Sequence, residues 1–191
     1  MTVYLFRHGD VIIPDDVLYG RFPGFHLSEQ GKQDVAIRAS MLKGAHIRHI
    51  ISSPLERTAE TSDSIAQTLA LPKSSISYDD RLIEVDCRDW TGKPMDQFLQ
   101  DSDYLSNPQT QIATEPLLDA GKRIFAVLDE LKHTKENNIL VSHGDPIMGL
   151  VSLLLNDRKF YYYHNHYIAK ATYLSLQFDG ESWHIHTPPY K

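Results

Sequence analysis

The chain has 191 residues, 41% hydrophobic content and a formal net charge of −6 with histidine neutral. That length suits one domain with a sizeable core, and an acidic balance without a long basic block argues against nucleic acid as a partner. No apolar run reaches transmembrane length, the N-terminus has no signal-peptide pattern, and one cysteine, Cys87, leaves no internal disulfide, so a soluble cytoplasmic protein with no membrane partner is expected.

Thr2–Phe6 is an apolar, β-prone run that reads as a buried strand, and it ends abruptly in Arg7-His8-Gly9. Gly9 is expected to let the chain leave the strand end without a Cβ clash. Arg7 and His8 are thereby offered at a strand tip, where ligands bind in open α/β sheets. A neutral imidazole is a nucleophile near pH 7 and a guanidinium clamps anions, which suggests phosphoryl transfer through a phosphohistidine. Taken alone, the triplet fits a carbonyl-capping histidine beside a solvated arginine better.

Val11–His26 has no sustained period and carries Tyr19-Gly20-Arg21-Phe22-Pro23-Gly24-Phe25. A long loop after a strand-tip site is often part of that site, so Arg21 either folds back onto the same anion or stays an exposed loop charge. A helix should open at Ser28 as N-cap, show an apolar stripe of Val35, Ala39 and Leu42, and end at Lys43-Gly44. His46–Ile51 is a second strand.

Ser53-Pro54-Leu55-Glu56 then reads as a capping box with proline at the first helical position. Arg57 falls in the first turn, where the dipole disfavours a cation. It needs either a bound anion or a surface pair with Glu56 or Glu60. The helix runs to about Leu69, and Ser75–Tyr78 is a short third strand. The irregular stretch 79–92 sets Glu84 and Asp86 among Leu82, Ile83 and Trp90. Either carboxyl could be a desolvated general acid, or both could pair with Arg81 and Arg88. Cys87 as a thiolate nucleophile would want a phosphate loop closed by arginine, but this one closes on Lys93.

Residues 93–114 are polar and poorly patterned apart from a short helix over Met95–Gln100. They read as an insert able to cover the site. Glu115-Pro116 opens a long helix to about His133, with Leu117, Leu118, Gly121, Ile124, Phe125, Leu128 and Leu131 on one face. Ile139–Ser142 is a fourth, fully apolar strand ending in His143-Gly144-Asp145-Pro146, followed by a helix to Leu155. Here Asp145 is the expected N-cap, with no chemical role assigned to it. Two strand–histidine–glycine corners in a parallel sheet lie on one edge and can converge on one ligand, with Gly144 at a helix N-terminus suited to an anion. Phe160–Tyr163 reads as core or contact surface. Tyr173–Phe178 and Trp183–Thr187 form a terminal hairpin around Asp179-Gly180, with His184 and His186 sharing a face but lacking an evident third metal ligand.

These residues together resemble the histidine phosphatase superfamily, also called phosphoglycerate-mutase-like. Arg7-His8-Gly9 is similar to its Arg-His-Gly signature and Arg21-Phe22-Pro23-Gly24-Phe25 to its Arg-Phe-x-Gly-aromatic loop. Ser52-Ser53-Pro54-Leu55-Glu56-Arg57-Thr58 with Thr61, Leu82-x-Glu84 with Trp90-x-Gly92, and Val141-Ser142-His143-Gly144 resemble its remaining motifs, in order, from Tyr4 to about Leu155. Asp10–Pro14 lacks the family's usual asparagine, Arg88 stands where glycine is common, and Lys170 stands near a usual asparagine.

The resemblance implies His8 as nucleophile, Glu84 rather than Asp86 as general acid, and Arg7, Arg57 and His143 on the phosphoryl oxygens. It leaves Arg21 as a further phosphate contact and requires no metal or cofactor. The expected fold is α/β: a three-layer sandwich of one domain over 1–191, with a mostly parallel sheet, helices on both faces and a C-terminal antiparallel hairpin. The expected function is a metal-independent phosphomonoesterase acting on a small-molecule phosphomonoester. The alternatives are a mutase of the same family, whose Glu-Arg-His-Tyr-Gly stretch this chain lacks, and a non-catalytic phosphate-binding module. Nothing in the pattern sets the number of copies in the assembly, and a homodimer is compatible with it.

Overall fold

Apolar runs of period two and stripes of period 3.6 alternate along the chain, and each becomes one layer of a sheet sandwiched by helices. The computed structural model describes residues 1–13, 16–101 and 115–186. The order is β1 (Thr2–Arg7), α1 (Glu29–Ser40), β2 (Ile47–Ser52), α2 (Glu56–Thr68), β3 (Ile76–Tyr78), α3 (Met95–Asp101), α4 (Leu117–Leu131), β4 (Asn137–Ser142), α5 (Gly144–Leu154), α6 (Tyr161–Asn165), β5 (Tyr173–Phe178) and β6 (Trp183–His186).

The six strands lie in the order β3-β2-β4-β1-β5-β6. β1 to β4 run parallel, β5 is antiparallel to both β1 and β6, and the terminal hairpin is present as expected. Alternate residues of the central strands feed two cores. Val3, Leu5 and Leu140 pack with Ile124, Leu128, Ile147 and Leu150 of α4 and α5. Phe6, Ile139 and Val141 pack with Val35, Ala39 and Ile65 of α1 and α2 on the other face.

Pairing β1 directly beside β4 matters most for function. Arg7 stands in register with Ser142, so the residues that follow, His8 and His143, leave the same sheet edge side by side. The His8 N–H donates to the Ser142 carbonyl at 3.1 Å.

Three local expectations change. α1 is capped by Ser28 as read, its hydroxyl accepting from the Gly31 N–H, but α2 begins at Glu56 with Leu55 as a cap that makes no side-chain bond. α5 begins at Gly144 with His143 at the cap, so Asp145 is inside the first turn and is not the N-cap. On α4, Ala120 and Val127 join the buried face while Phe125 is 38% exposed. The buried residues of that helix are spaced to meet α5, and Phe125 falls outside that arc. Gly9 is needed for space: a Cβ there would sit 2.8 Å from the Gly31 carbonyl oxygen and 2.9 Å from Val35 Cγ2, so α1 presses against the turn that carries His8.

The short helix read over Met95–Gln100 is α3, and Phe98 from it reaches the core. The rest of the polar insert, 102–114, lies outside the described residues. Among the described residues no helix is long and apolar enough to cross a membrane.

Candidate active site

The site is built from the residues just beyond two parallel strand tips, the start of α2, and the irregular segment before α3. His8 is 1% exposed, and its Nδ1 lies 2.7 Å from the Gly9 carbonyl oxygen. A carbonyl only accepts, so Nδ1 carries the proton and the Nε2 lone pair stays available. Burial, then Arg57, then Arg7 hold this imidazole well below its usual range, which keeps the ring neutral near pH 7. The Gly9 N–H donates to Thr61 Oγ1 at 3.1 Å, fastening the turn to α2.

Arg57 is wholly buried, and only its Nη2 has a hydrogen-bond partner, the Gly20 carbonyl at 2.7 Å. Among the described residues its Nε and Nη1 have none. Its guanidinium stacks 4.9 Å from the Tyr19 ring centroid. Arg7 donates from Nη1 to the Ile168 carbonyl at 2.7 Å, lies 5.1 Å from the Tyr167 ring centroid, and keeps a buried Nε without a partner. Buried N–H groups of this kind cost about 1–3 kcal/mol each, more on charged groups, unless an anion satisfies them. The surface-pair reading of Arg57 does not hold.

His143 is also fully buried, with its ring 5.2 Å from that of His8. Its Nε2 lies 2.8 Å from Ser53 Oγ, and its Nδ1 has no hydrogen bond but lies 3.7 Å from Glu84 Oε2. Burial, Arg57 and His8 lower its pKa, so it too is neutral. Ser53, read from the sequence as a helix cap, is thus a partner of the second histidine. Only the adjacency of β2 to β4 brings it there.

Glu84 separates from Asp86 on environment. The Glu84 carboxyl accepts from the Val85 N–H at 2.9 Å and keeps a 16% exposed side chain facing His143. Burial and then the Asp145 charge push its pKa up to about 7, against the opposing pull of Arg57. Asp86 is exposed and accepts from the Arg88 N–H. Asp145 accepts a 2.6 Å hydrogen bond from the Tyr167 hydroxyl. Its charge acts on Glu84, which gives a role to a carboxylate that the sequence left without one.

Gly144 opens α5 at the positive end of its dipole, and a Cβ there would fall 2.1 Å from the Tyr167 hydroxyl oxygen. The structure thus gathers Arg7, His8, Arg57, Glu84, His143 and Gly144.

Arg21 is directed elsewhere. Its Nε donates to the Glu84 carbonyl at 2.8 Å and its Nη2 to Glu115 Oε2 at 3.0 Å, beside a separate pocket of about 580 Å³ lined also by Asp86, Arg88 and Arg123. The loop before it delivers Tyr19 and the Gly20 carbonyl, not Arg21, to Arg57. Cys87 is buried with its thiol pushed far up by burial and by Glu84, the opposite of an activated nucleophile. His184 is engaged by Asp179 Oδ2 at 2.6 Å, and among the described residues no cluster of three His, Cys, Asp or Glu side chains could hold a metal ion.

The constellation can be compared with known proteins. A model of the histidine phosphatase superfamily (branch 1) matches residues 3–188. An uncharacterized Mycobacterium tuberculosis protein, Rv0525, is 33% identical over 187 residues, 94% of this chain and 91% of its own. Phosphoserine phosphatase 1 of Hydrogenobacter thermophilus is 30% identical over 148 residues, 71% of this chain and 69% of its own. In fold, the chain superposes on Bacillus stearothermophilus YhfR with a TM-score of 0.83 at 24% identity, over 96% of this chain and 94% of that one. Relatives include both a phosphatase and a phosphoglycerate mutase. A match over nearly the whole length, reaching from the first strand tip past the second, makes this chain a member of the histidine phosphatase superfamily, branch 1.

Proposed function

We propose that the chain is a phosphomonoesterase that works through a phosphohistidine at His8 on a small phosphorylated metabolite, with arginines rather than a metal supplying the positive charge. One observation carries this reading: the Nδ1 of a buried, neutral His8 is occupied by the Gly9 carbonyl at 2.7 Å, which leaves Nε2 as the nucleophile. The unpartnered N–H groups of Arg7 and Arg57 support an anion beside it.

In the first step His8 Nε2 bonds to phosphorus as the ester P–O bond breaks. Arg7, Arg57 and the His143 N–H take the charge on the remaining phosphoryl oxygens. The departing alkoxide receives the Glu84 proton and leaves as the alcohol; a carboxyl with a pKa of about 7 holds that proton at neutral pH. In the second step water attacks phosphorus and gives its proton to the Glu84 carboxylate. The P–N bond breaks, its electron pair returns to Nε2, and phosphate leaves. A mutase would substitute an acceptor hydroxyl for this water.

The test is a trap. Incubated with a radiolabelled phosphomonoester and quenched in base, the wild type should carry acid-labile label. His8→Ala should carry none and turn over no substrate. A chelator should leave the rate unchanged. Wild-type turnover in His8→Ala would sink the nucleophile. Loss of activity with chelator and recovery with one divalent ion would sink the metal-free reading. Faster transfer of label to a hydroxylated acceptor than to water would make the protein a mutase.

A further inference from the structure

We infer that Glu115, with the two arginines it joins, positions the Glu84 general acid. This rests on the proposed role of Glu84. The segment Ile83–Asp86 has no helix or strand to hold it. A proton donor must be held within about 0.5 Å of its productive position, so something outside the segment has to fix it.

Two guanidiniums grip its carbonyls. Arg123, from α4, donates through Nη1 to the Arg81 carbonyl at 2.7 Å and the Ile83 carbonyl at 3.0 Å. Arg21, from the loop after β1, donates through Nε to the Glu84 carbonyl at 2.8 Å. Glu115, just before α4, ties them together. Its Oε1 accepts from Arg123 Nε at 2.8 Å, and its Oε2 accepts from Arg123 Nη2 at 2.9 Å and from Arg21 Nη2 at 3.0 Å.

The backbone adds to this. The Glu115 N–H donates to the Asp86 carbonyl at 2.8 Å, and the Asp86 N–H donates to Glu115 Oε2 at 3.3 Å. Glu115 is 18% exposed and Arg123 23%, so these charge-assisted bonds are shielded from solvent screening. Because Glu84 Oε1 is hydrogen-bonded to the adjacent Val85 N–H, orienting this backbone also orients the carboxyl. Two parts of the chain remote in sequence, the loop at Arg21 and the stretch from Glu115 to Arg123, converge on the backbone that carries the acid.

The discriminating readout is leaving-group dependence. An alkyl alcohol needs the Glu84 proton to depart and p-nitrophenolate hardly does. Glu115→Gln, Arg21→Gln and Glu84→Gln are assayed on an alkyl phosphate and on p-nitrophenyl phosphate, with melting temperature as a check on folding. Glu115→Gln and Arg21→Gln should each lose roughly tenfold in kcat/KM, which ends at departure of the alcohol and excludes the second step shared by both esters, on the alkyl ester and less than about threefold on the nitrophenyl ester. In a Glu84→Gln background neither should add any further split.

Equal losses on both esters would overturn the inference, and a raised KM on both in Arg21→Gln would return Arg21 to the phosphate. A split in Glu84→Gln without one in the other two overturns the positioning role alone. No split in Glu84→Gln overturns the acid assignment and this inference with it. Should Glu115→Gln fail to fold, Arg21→Gln, at a side chain 35% exposed, decides the matter.

Discussion

The Ser53 hydroxyl is fully buried and its partner is His143 Nε2, at 2.8 Å. A buried O–H left without an acceptor would cost about 1–3 kcal/mol, so it donates to Nε2 and the His143 proton resides on Nδ1, on the side of Glu84. The second histidine is thereby a neutral donor with one fixed tautomer, matched to a phosphoryl oxygen. Ser53→Ala should release that tautomer and lower kcat/KM by about tenfold, roughly 1.4 kcal/mol, while KM changes little. Nitrogen NMR of the imidazole should show Nδ1–H alone in the wild type and a tautomer mixture in the variant. A single unchanged tautomer in Ser53→Ala would refute this. From the sequence Ser53 looks like a cap because Ser-x-x-Glu before an apolar run is what caps look like. Glu56 instead accepts from the Gly24 N–H, across the loop.

At the scale of elements, α4 and α5 are packed backbone to backbone. A Cβ on Gly149 would fall 2.1 Å from the Leu117 carbonyl oxygen, and one on Gly121 would fall 2.3 Å from the Gly149 carbonyl carbon. This close crossing seats both helices on the sheet face below β1 and β4, and α5 carries Gly144 at its start. Replacing glycine by alanine inside a helix ordinarily stabilises by up to about 1 kcal/mol. Here the sign should invert: Gly149→Ala should destabilise by about 1–3 kcal/mol, since the neighbour is backbone and cannot turn aside. Denaturant unfolding measures it, and a stabilised Gly149→Ala would mean the two helices are not in contact there. The strand pairing shows the same division of labour. Apolar runs ending in histidine are visible in the chain, but the register that joins Arg7 to Ser142 belongs to the sheet.

The whole molecule holds a cationic pocket inside an acidic protein, and it should respond to ligand and to pH. Inorganic phosphate at about 100 times its Kd should stabilise by roughly 2.7 kcal/mol, which for a chain of this size raises the melting temperature by about 5–10 °C; Arg57→Gln should abolish most of that shift. An unchanged melting temperature in the wild type at saturating phosphate would contradict an anion pocket. The Glu84 carboxyl, raised from 4.5 to about 7, adds a pH term. Between those values the folded chain holds a proton that the unfolded chain has lost, so stability falls as pH rises through that window and is flat above it. Glu84→Gln removes this slope. The variant should match the wild type near pH 4 and exceed it at pH 8 by on the order of 3 kcal/mol, read from paired denaturation curves. Parallel curves across that range would show that Glu84 is solvated. Activity on alkyl phosphates should fall over the same rise in pH, because the ionised carboxyl has no proton to give.

The chain by itself determined the residue types and their places at element ends: Arg7-His8-Gly9 and His143-Gly144 at strand tips, Arg57 in a first helical turn where it needs either an anion or a surface pair, and the alternation that makes an α/β sandwich. These are legible because period and punctuation are local properties of a polymer. Which carboxyl is desolvated, where Arg21 points, what Ser53 touches and what Glu115 bonds to were decided by tertiary structure. Glu84 and Asp86 are two residues apart, with similar neighbours, and differ only in which one the fold dehydrates beside His143. Arg21 meets Glu115 across 94 residues, and Ser53 meets His143 across 90. Desolvation and long-range hydrogen bonding depend on what the sheet order brings near, and no pattern of spacing along the chain encodes that distance.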